Sequence, residues 1–207
     1  MNRDNPGVHA GRCGVLAGAV LVFTAAGLLC SQHAAAQAAG EVLPQEKQTT
    51  LGLYVTAKKA YELWKAAPEE VKILDVRTPE EYIFVGHAPM AVNIPAFVQS
   101  YDWDENRHHY SMMPNPDFLG QVQATFSLDD TILVMCRSGG RSAASVNQLA
   151  AAGFVSVYNI TDGVEGDVVA EPGNLYAGKR MKNGWKNSGV PWTYSLDPGL
   201  MRLPSSR

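Results

Sequence analysis

The sequence predicts an α/β domain with a mainly parallel central sheet flanked by helices on both faces, and three observations predict it. Short apolar runs of strand length alternate with segments of helical period from about residue 53 to residue 160. One of these runs, Thr131-Ile132-Leu133-Val134-Met135, leads directly into the loop Cys136-Arg137-Ser138-Gly139-Gly140-Arg141-Ser142, which opens an amphipathic segment of small residues. Two polar residues, Asp75 and Cys136, fall at the carboxyl ends of such runs, the edge where parallel sheets place their ligands.

Residues 1–38 read as an export leader. Arg3 and Arg12 give a weakly positive start, the chain from Cys13 to Cys30 is apolar or small, and Ala-x-Ala sites end at Ala36 or Ala38. The expectation is a periplasmic or secreted protein. An uncleaved membrane anchor competes, because the apolar stretch approaches the ~18 residues of a spanning helix. Its Gly and Ala content and its alanine-rich end favour cleavage. Cys30 does not mark a lipoprotein, since Leu29 stands where a small residue belongs, and no twin-arginine pair is present.

Residues 39–50 are polar and read as a linker, and the folded domain is expected over 51–195. Leu53-Tyr54-Val55 forms a short strand, and Thr56 caps a helix that places Ala60, Leu63 and Trp64 on one face. The run from Val71 to Val76 reads as a central strand. Thr78-Pro79-Glu80-Glu81 then supplies the cap, the first-turn proline and the acidic residues of a helix start. Ala91-Val92-Asn93-Ile94 is another short strand, ended by Pro95. Residues 101–116, polar, aromatic and punctuated by proline, read as a long surface loop. A helix over about 117–127 leads to the strand before Cys136, and a last strand covers 155–160. Beyond it, residues 161–207 are rich in Gly, Asn, Pro and Trp without a clear period; they are expected to wrap the domain surface and end in a tail over 196–207. No internal repeat is present.

Loss of the leader would remove Arg3, Asp4 and Arg12, leaving 15 basic against 19 acidic side chains and a net charge of −4. The basic residues are dispersed, and the close pairs Lys58-Lys59 and Lys179-Arg180 are too small for a stripe that tracks phosphates, which excludes nucleic acid as a partner. About 168 residues remain, enough for one domain with a real core. Of the three cysteines, Cys13 and Cys30 lie in the leader. Cys136 would then stand alone, unable to form an internal disulfide: it is buried, paired between molecules, or kept for chemistry.

Its surroundings favour chemistry. Cys136 falls at the N-terminus of a helix that Ser142 is expected to cap and that runs through Val146 and Leu149 to about Gly153. Loop N–H groups, the positive end of the helix dipole and the charges of Arg137 and Arg141 favour a thiolate there. A cysteine that merely fills a core needs no two glycines and two arginines within five residues, whereas a loop that curls its amides around an anion needs both.

Leu74-Asp75-Val76-Arg77, Glu80-Glu81-Tyr82, Gly86-His87-Ala88-Pro89, Ala91-Val92-Asn93-Ile94-Pro95 and the loop Cys136 to Ser142, in this order and at this spacing, resemble the rhodanese family of sulfurtransferases. The resemblance covers most of 54–194. It implies a compact α/β sheet and a catalytic cysteine, here Cys136, that accepts a sulfane sulfur from a donor and passes it to a thiophilic acceptor. Met90 departs from the glycine usual after Gly-His-x-Pro. Asp162-Gly163-Val164-Glu165-Gly166 looks like the start of the family's closing motif, and Gly184-Trp185-Lys186 through Gly189-Val190-Pro191-Trp192 looks like its end, with about seventeen inserted residues, 167–183, between. This insertion and 101–116 are candidates for setting acceptor choice or for a homodimer contact; mere cover for a sheet edge is the equal alternative.

The reaction so implied needs a nucleophile, Cys136; a cradle of backbone N–H groups from Arg137, Ser138, Gly139, Gly140 and Arg141 for the outer persulfide sulfur; and positive charge for an anionic leaving group. Arg137 and Arg141 are the candidates for that charge, with a solvated rim as the alternative. Asp75 is expected to organise the site by accepting loop amides or pairing with Arg77 or Arg141; Arg77 and Ser142 are likewise supporting. His87 reads as a turn-stabilising histidine rather than a base. Adjacent His108 and His109 point apart on an extended chain, so no metal site is expected, and no organic cofactor is required. Small sulfur-containing anions, a thiol or cyanide acceptor and a sulfur-accepting protein are the expected partners, with no membrane partner after cleavage. Two rivals stand. A cysteine phosphatase or arsenate reductase would need five residues between Cys and Arg, where only four separate Cys136 from Arg141. A sulfur carrier that serves a partner without turnover has the same loop, and sequence does not separate it from a catalyst.

Overall fold

The computed structural model describes residues 42–205. The expected leader, with cleavage at Ala36 or Ala38, lies outside them. A five-stranded parallel sheet has the order β1-β7-β6-β2-β3, formed by β1 (Tyr54–Val55), β2 (Val71–Asp75), β3 (Val92–Asn93), β6 (Thr131–Met135) and β7 (Val157–Ile160). The helices are α1 (Ala57–Ala66), α2 (Pro79–Val85), α3 (Phe118–Thr125) and α4 (Gly140–Ala151). This is the expected α/β architecture.

Side chains along the central strands alternate between two cores, as the period of a strand requires. Ile132, Val134 and Cys136 face a cluster with Phe118 and Val122 of α3 and Val146 and Leu149 of α4. Leu133 and Met135 face the other, with Ala57 and Ala60 of α1 and Trp185. Near-continuous burial over Ile132 to Met135 is what a strand covered on both faces demands.

Local signals fix the helix starts. Thr56 accepts from the Lys59 N–H at 3.3 Å. Thr78 and Glu81 form a reciprocal capping box around Pro79, so α2 begins immediately beyond the carboxyl end of β2.

Three expectations are corrected. Residues 101–116 are mostly not a loop: β4 (Phe97–Asp104) and β5 (His109–Pro114) form an antiparallel hairpin. Tyr101, Trp103 and Tyr110 have the strand preference of aromatics, and the Asp104 carboxylate closes the turn by accepting from the N–H groups of Asn106 and Arg107 at 2.9 and 3.0 Å. Pro114 stands at the strand's last position, where a missing N–H is tolerated. The polarity suggesting a loop belongs to a hairpin with few core contacts. Second, the residues read as a linker include a 3-10 turn, Gln45–Lys47, packed against α4, with Lys47 buried. Third, the segment after β7 does more than wrap the surface: Trp185 is wholly buried and donates to the Pro191 carbonyl at 2.7 Å, and Met201 bridges to the β3 edge at Asn93.

Trp185 is therefore a core residue on an irregular segment. Trp185→Ala is expected to cost about 3–5 kcal/mol of stability, read as a lowered urea midpoint; an unchanged midpoint would show that this segment is dispensable to the fold.

Candidate active site

The parallel register brings the carboxyl ends of four strands together. Asp75 pairs with Met135 across β2 and β6 and with Asn93 across β2 and β3, while Asn159 on β7 pairs with Val134. Chain order reverses between β2 and β6, and Cys136 leaves the sheet there, where an open α/β sheet has its crevice.

Cys136 is a free thiol with 1% of its surface exposed. The Gly139 N–H donates to its Sγ at 3.2 Å, and the Ser142 hydroxyl lies within donating distance at 3.4 Å. Gly139 takes a left-handed conformation, φ 101°, as the residue that caps α4, and a Cβ there would collide with the Thr161 carbonyl. Ser142 is thus not the cap that the sequence suggests. It is the third residue of α4, and its hydroxyl faces Asn159 Oδ1 at 2.6 Å, the Gly139 carbonyl at 3.1 Å and the sulfur. Asn159 completes the arrangement by donating to the carbonyls of Lys47 and Gly139 at 2.9 and 3.1 Å.

The back of the loop is held by main chain. Val164 N–H donates to the Cys136 carbonyl at 2.8 Å, and Glu165 N–H to that of Arg137 at 2.9 Å. Just before them Gly163, φ 59°, packs so closely that a Cβ would lie 2.5 Å from the Cys136 oxygen. Asp162 anchors this clasp by accepting from Ala57 N–H at 2.7 Å and Gly184 N–H at 3.0 Å. Burial still raises its carboxyl above the ordinary value, against the pull of those two N–H groups.

Two ion pairs flank the loop. Asp75 and Arg77, both wholly buried, meet at 2.6 Å, and the Arg77 guanidinium also donates to the Gly86 carbonyl at 2.9 Å. Burial opposes the charge on Arg77, but Asp75 outweighs it and the guanidinium is held more firmly protonated than usual. Arg77 is thus a support inside the fold, and Asp75 pairs with it, not with Arg141. Arg141 instead grips Glu81 of α2 through two 2.6 Å hydrogen bonds. Burial works against both charges of this pair, yet the mutual contact wins, so the Glu81 carboxyl falls below its ordinary range and Arg141 rises above its own. Arg141, expected to serve an anion directly, is engaged with Glu81. Arg137 is exposed and has no ion-pair partner among the described residues.

His87 is buried and stacked on Tyr82 at 3.7 Å, with Nδ1 3.2 Å from the Tyr82 carbonyl; burial lowers its basicity. It stays with the turn after α2. His108 and His109 lie on the hairpin, and among the described residues no three potential ligands gather to hold a metal. In front of the loop is an open cavity of about 900 Å³ between Arg137 and Arg141 on one side and the hairpin on the other.

Sequence reasoning missed Asn159, Glu81 as the partner of Arg141, and the clasp at 162–166 as the support of the loop. An asparagine within the apolar run Val157-Tyr158-Asn159-Ile160 was the available signal for the first.

Comparison with known proteins agrees with this geometry. The family model "Rhodanese-like domain" matches residues 56–168, more than half of the chain. The chain is 45% identical over 92 residues to thiosulfate sulfurtransferase 16, chloroplastic, of Arabidopsis thaliana, a match covering 44% of this chain and 69% of that protein. It is 37% identical over 92 residues to thiosulfate sulfurtransferase 18 of the same plant, covering 44% of this chain and 61% of the relative. The crystal structure of Rv0390 from M. tuberculosis superposes with a TM-score of 0.52 at 25% identity, covering 68% of this chain and 96% of that one. The chain belongs to the rhodanese-like family.

Removing one partner of the buried pair leaves the other charge uncompensated, so Asp75→Ala is expected to cost about 3–5 kcal/mol in urea unfolding, with Asp75→Ala/Arg77→Met recovering part of it. Glu81 makes stability depend on pH. Its folded carboxyl titrates below the unfolded value of about 4.3, so the contribution is complete above that value and disappears as pH falls through the lower folded one. In urea midpoints measured against pH, Glu81→Gln should flatten the acid limb; identical limbs in both proteins would remove Glu81 from the account.

Proposed function

We propose that the protein is a sulfurtransferase that carries a sulfane sulfur as a persulfide on Cys136. One observation carries the reading: a buried free thiol at the end of β6, the one cysteine among the described residues, receives the Gly139 N–H, lies beside the Ser142 hydroxyl, and stands at the N-terminus of α4. The names of the two plant relatives support thiosulfate as donor.

In the first half-reaction the Cys136 thiolate attacks the outer sulfur of thiosulfate or of a polysulfide. The sulfur–sulfur bond of the donor breaks, and sulfite or the shortened polysulfide leaves with its electron pair. Arg137, exposed beside the cavity, is placed to neutralise that anion. Loop N–H groups from Arg137 to Arg141 cradle the outer sulfur. In the second half-reaction a thiophilic acceptor takes this sulfur and frees the cysteine. The two steps use no metal or organic cofactor, and the leader-like N-terminus supports a periplasmic or extracellular setting. Anion hydrolysis fits less well, since Glu81 already occupies the guanidinium of Arg141, the group that would grip a tetrahedral phosphate.

Intact mass after thiosulfate, and separately after polysulfide, is expected to rise by one sulfur, about 32 Da. Cyanide should remove the adduct and Cys136→Ala should prevent it while leaving the fold intact. Loading in the alanine variant would overturn the mechanism, and the absence of loading from either donor would overturn the function.

A further inference from the structure

We infer that Asn159 is a positioning residue for Cys136: it takes the proton of the Ser142 hydroxyl and so keeps that proton off the sulfur. The consequence for sulfur transfer rests on the persulfide reading of Cys136. Asn159, wholly buried on β7, spends both amide hydrogens, one on the Lys47 carbonyl at 2.9 Å and one on that of Gly139 at 3.1 Å. Turned over, the amide would set its oxygen against two carbonyls, so the nitrogen lies on that side and Oδ1 faces Ser142. Among the described residues Ser142 is the donor that reaches Oδ1, at 2.6 Å, and a buried amide oxygen left without a donor is costly. The hydroxyl has one hydrogen and two other acceptors within reach. The Gly139 carbonyl is already filled by Asn159 and by the Ala143 N–H at 3.2 Å; Cys136 Sγ, the most distant at 3.4 Å, already has the Gly139 N–H. The proton therefore lies toward Asn159.

The turn Gln45–Lys47 takes part in this. It precedes residues 56–168, which the family model matches, yet the carbonyl of its last residue fixes the amide. The Lys47 stem packs 3.1 Å from where a Cβ of Gly139 would stand, and its Nζ is tied to Asp167 at 2.7 Å. Chain ahead of the matched region thus acts on the sulfur through one amide and one hydroxyl.

A thiolate spared a hydrogen bond is more basic, a better nucleophile and a poorer leaving group. Asn159 thereby favours the first half-reaction, in which Cys136 Sγ attacks the donor and the donor's sulfur–sulfur bond breaks. It disfavours the second, in which the acceptor takes the outer sulfur and the electron pair of the persulfide bond returns to Sγ. Neither step consumes an oxidant or a reductant.

Alkylation of Cys136 by iodoacetamide against pH, with single-turnover loading by thiosulfate and discharge by cyanide, tests the placement. Asn159→Leu fills the space without an acceptor and releases the hydroxyl to the sulfur. Its alkylation profile should move about one pH unit lower, the worth of one hydrogen bond to an ion. Loading at a pH where the thiol is fully ionised should slow about three-fold, while discharge quickens. Ser142→Ala should leave the profile in place, and the double variant should lose the shift. The charges around the loop are the same in all four proteins: Arg137 and Arg141 on it, Asp75 with Arg77 and Glu81 beside it, Lys47 and Asp162 behind it. Ser142→Ala, one small side chain for another, decides the placement even where Asn159→Leu does not fold. An upward shift in Ser142→Ala, a shift that survives in the double variant, or loading and discharge slowed together by Asn159→Leu overturns the inference. A wild-type protein that does not load overturns the sulfurtransferase reading, whereas the alkylation profiles need no sulfur transfer and judge the proton's place on their own.

Discussion

The buried contact between Asp75 and Arg77 is the constraint around which the carboxyl edge of the sheet is organised. A carboxylate and a guanidinium without water are tolerable only when their remaining hydrogen-bonding capacity is spent locally. Here Asp75 Oδ1 also accepts the Arg77 N–H at 3.0 Å, and Arg77 reaches the Gly86 carbonyl. Asn93 then ties the main chain of the same two residues together through their carbonyls at 3.0 and 2.9 Å. The end of β2, the turn after α2 and the start of the chain beyond β3 are thereby locked to one another. Such a pair adds little net stability compared with an apolar core, but it tolerates few other arrangements of the surrounding chain.

The Cys136 loop inherits that order from two sides. Through Glu81, which caps α2 and also holds Arg141, the start of α2 is coupled to the first turn of α4. Through Val164 and Glu165, the chain beyond β7 supports the loop from behind.

Much of this was legible in the sequence because it is local. Thr78 to Glu81 specify a helix start through contacts three residues apart, and an apolar run followed by Cys136 and paired glycines specifies a strand, a loop and a helix. What could not be read is what depends on distant partners. Arg141 looks like an anion ligand until Glu81, sixty residues earlier, is found against it. Ser142 looks like a cap because its residue type suits one, whereas Gly139 supplies the necessary backbone conformation and Asn159 claims the hydroxyl. The hairpin was missed because period and polarity report burial, and beyond the start of β4 its strands bury little. Trp185 was read with its polar neighbours, though its size alone marks it for a core.

The insertion between the clasp and Trp185 leaves and rejoins the domain at nearly one point. Asp167 N–H donates to the Asn183 side chain at 2.7 Å, that side chain donates back to the Asp167 carboxylate at 3.1 Å, and Lys47 grips the same carboxylate at 2.7 Å. For a segment closed at its base, the entropic cost of added length grows only logarithmically. The molecule therefore has an attachment point beside the Cys136 loop, where an engineer can graft a reporter or a second domain onto a base that Asp167, Asn183 and Lys47 hold closed.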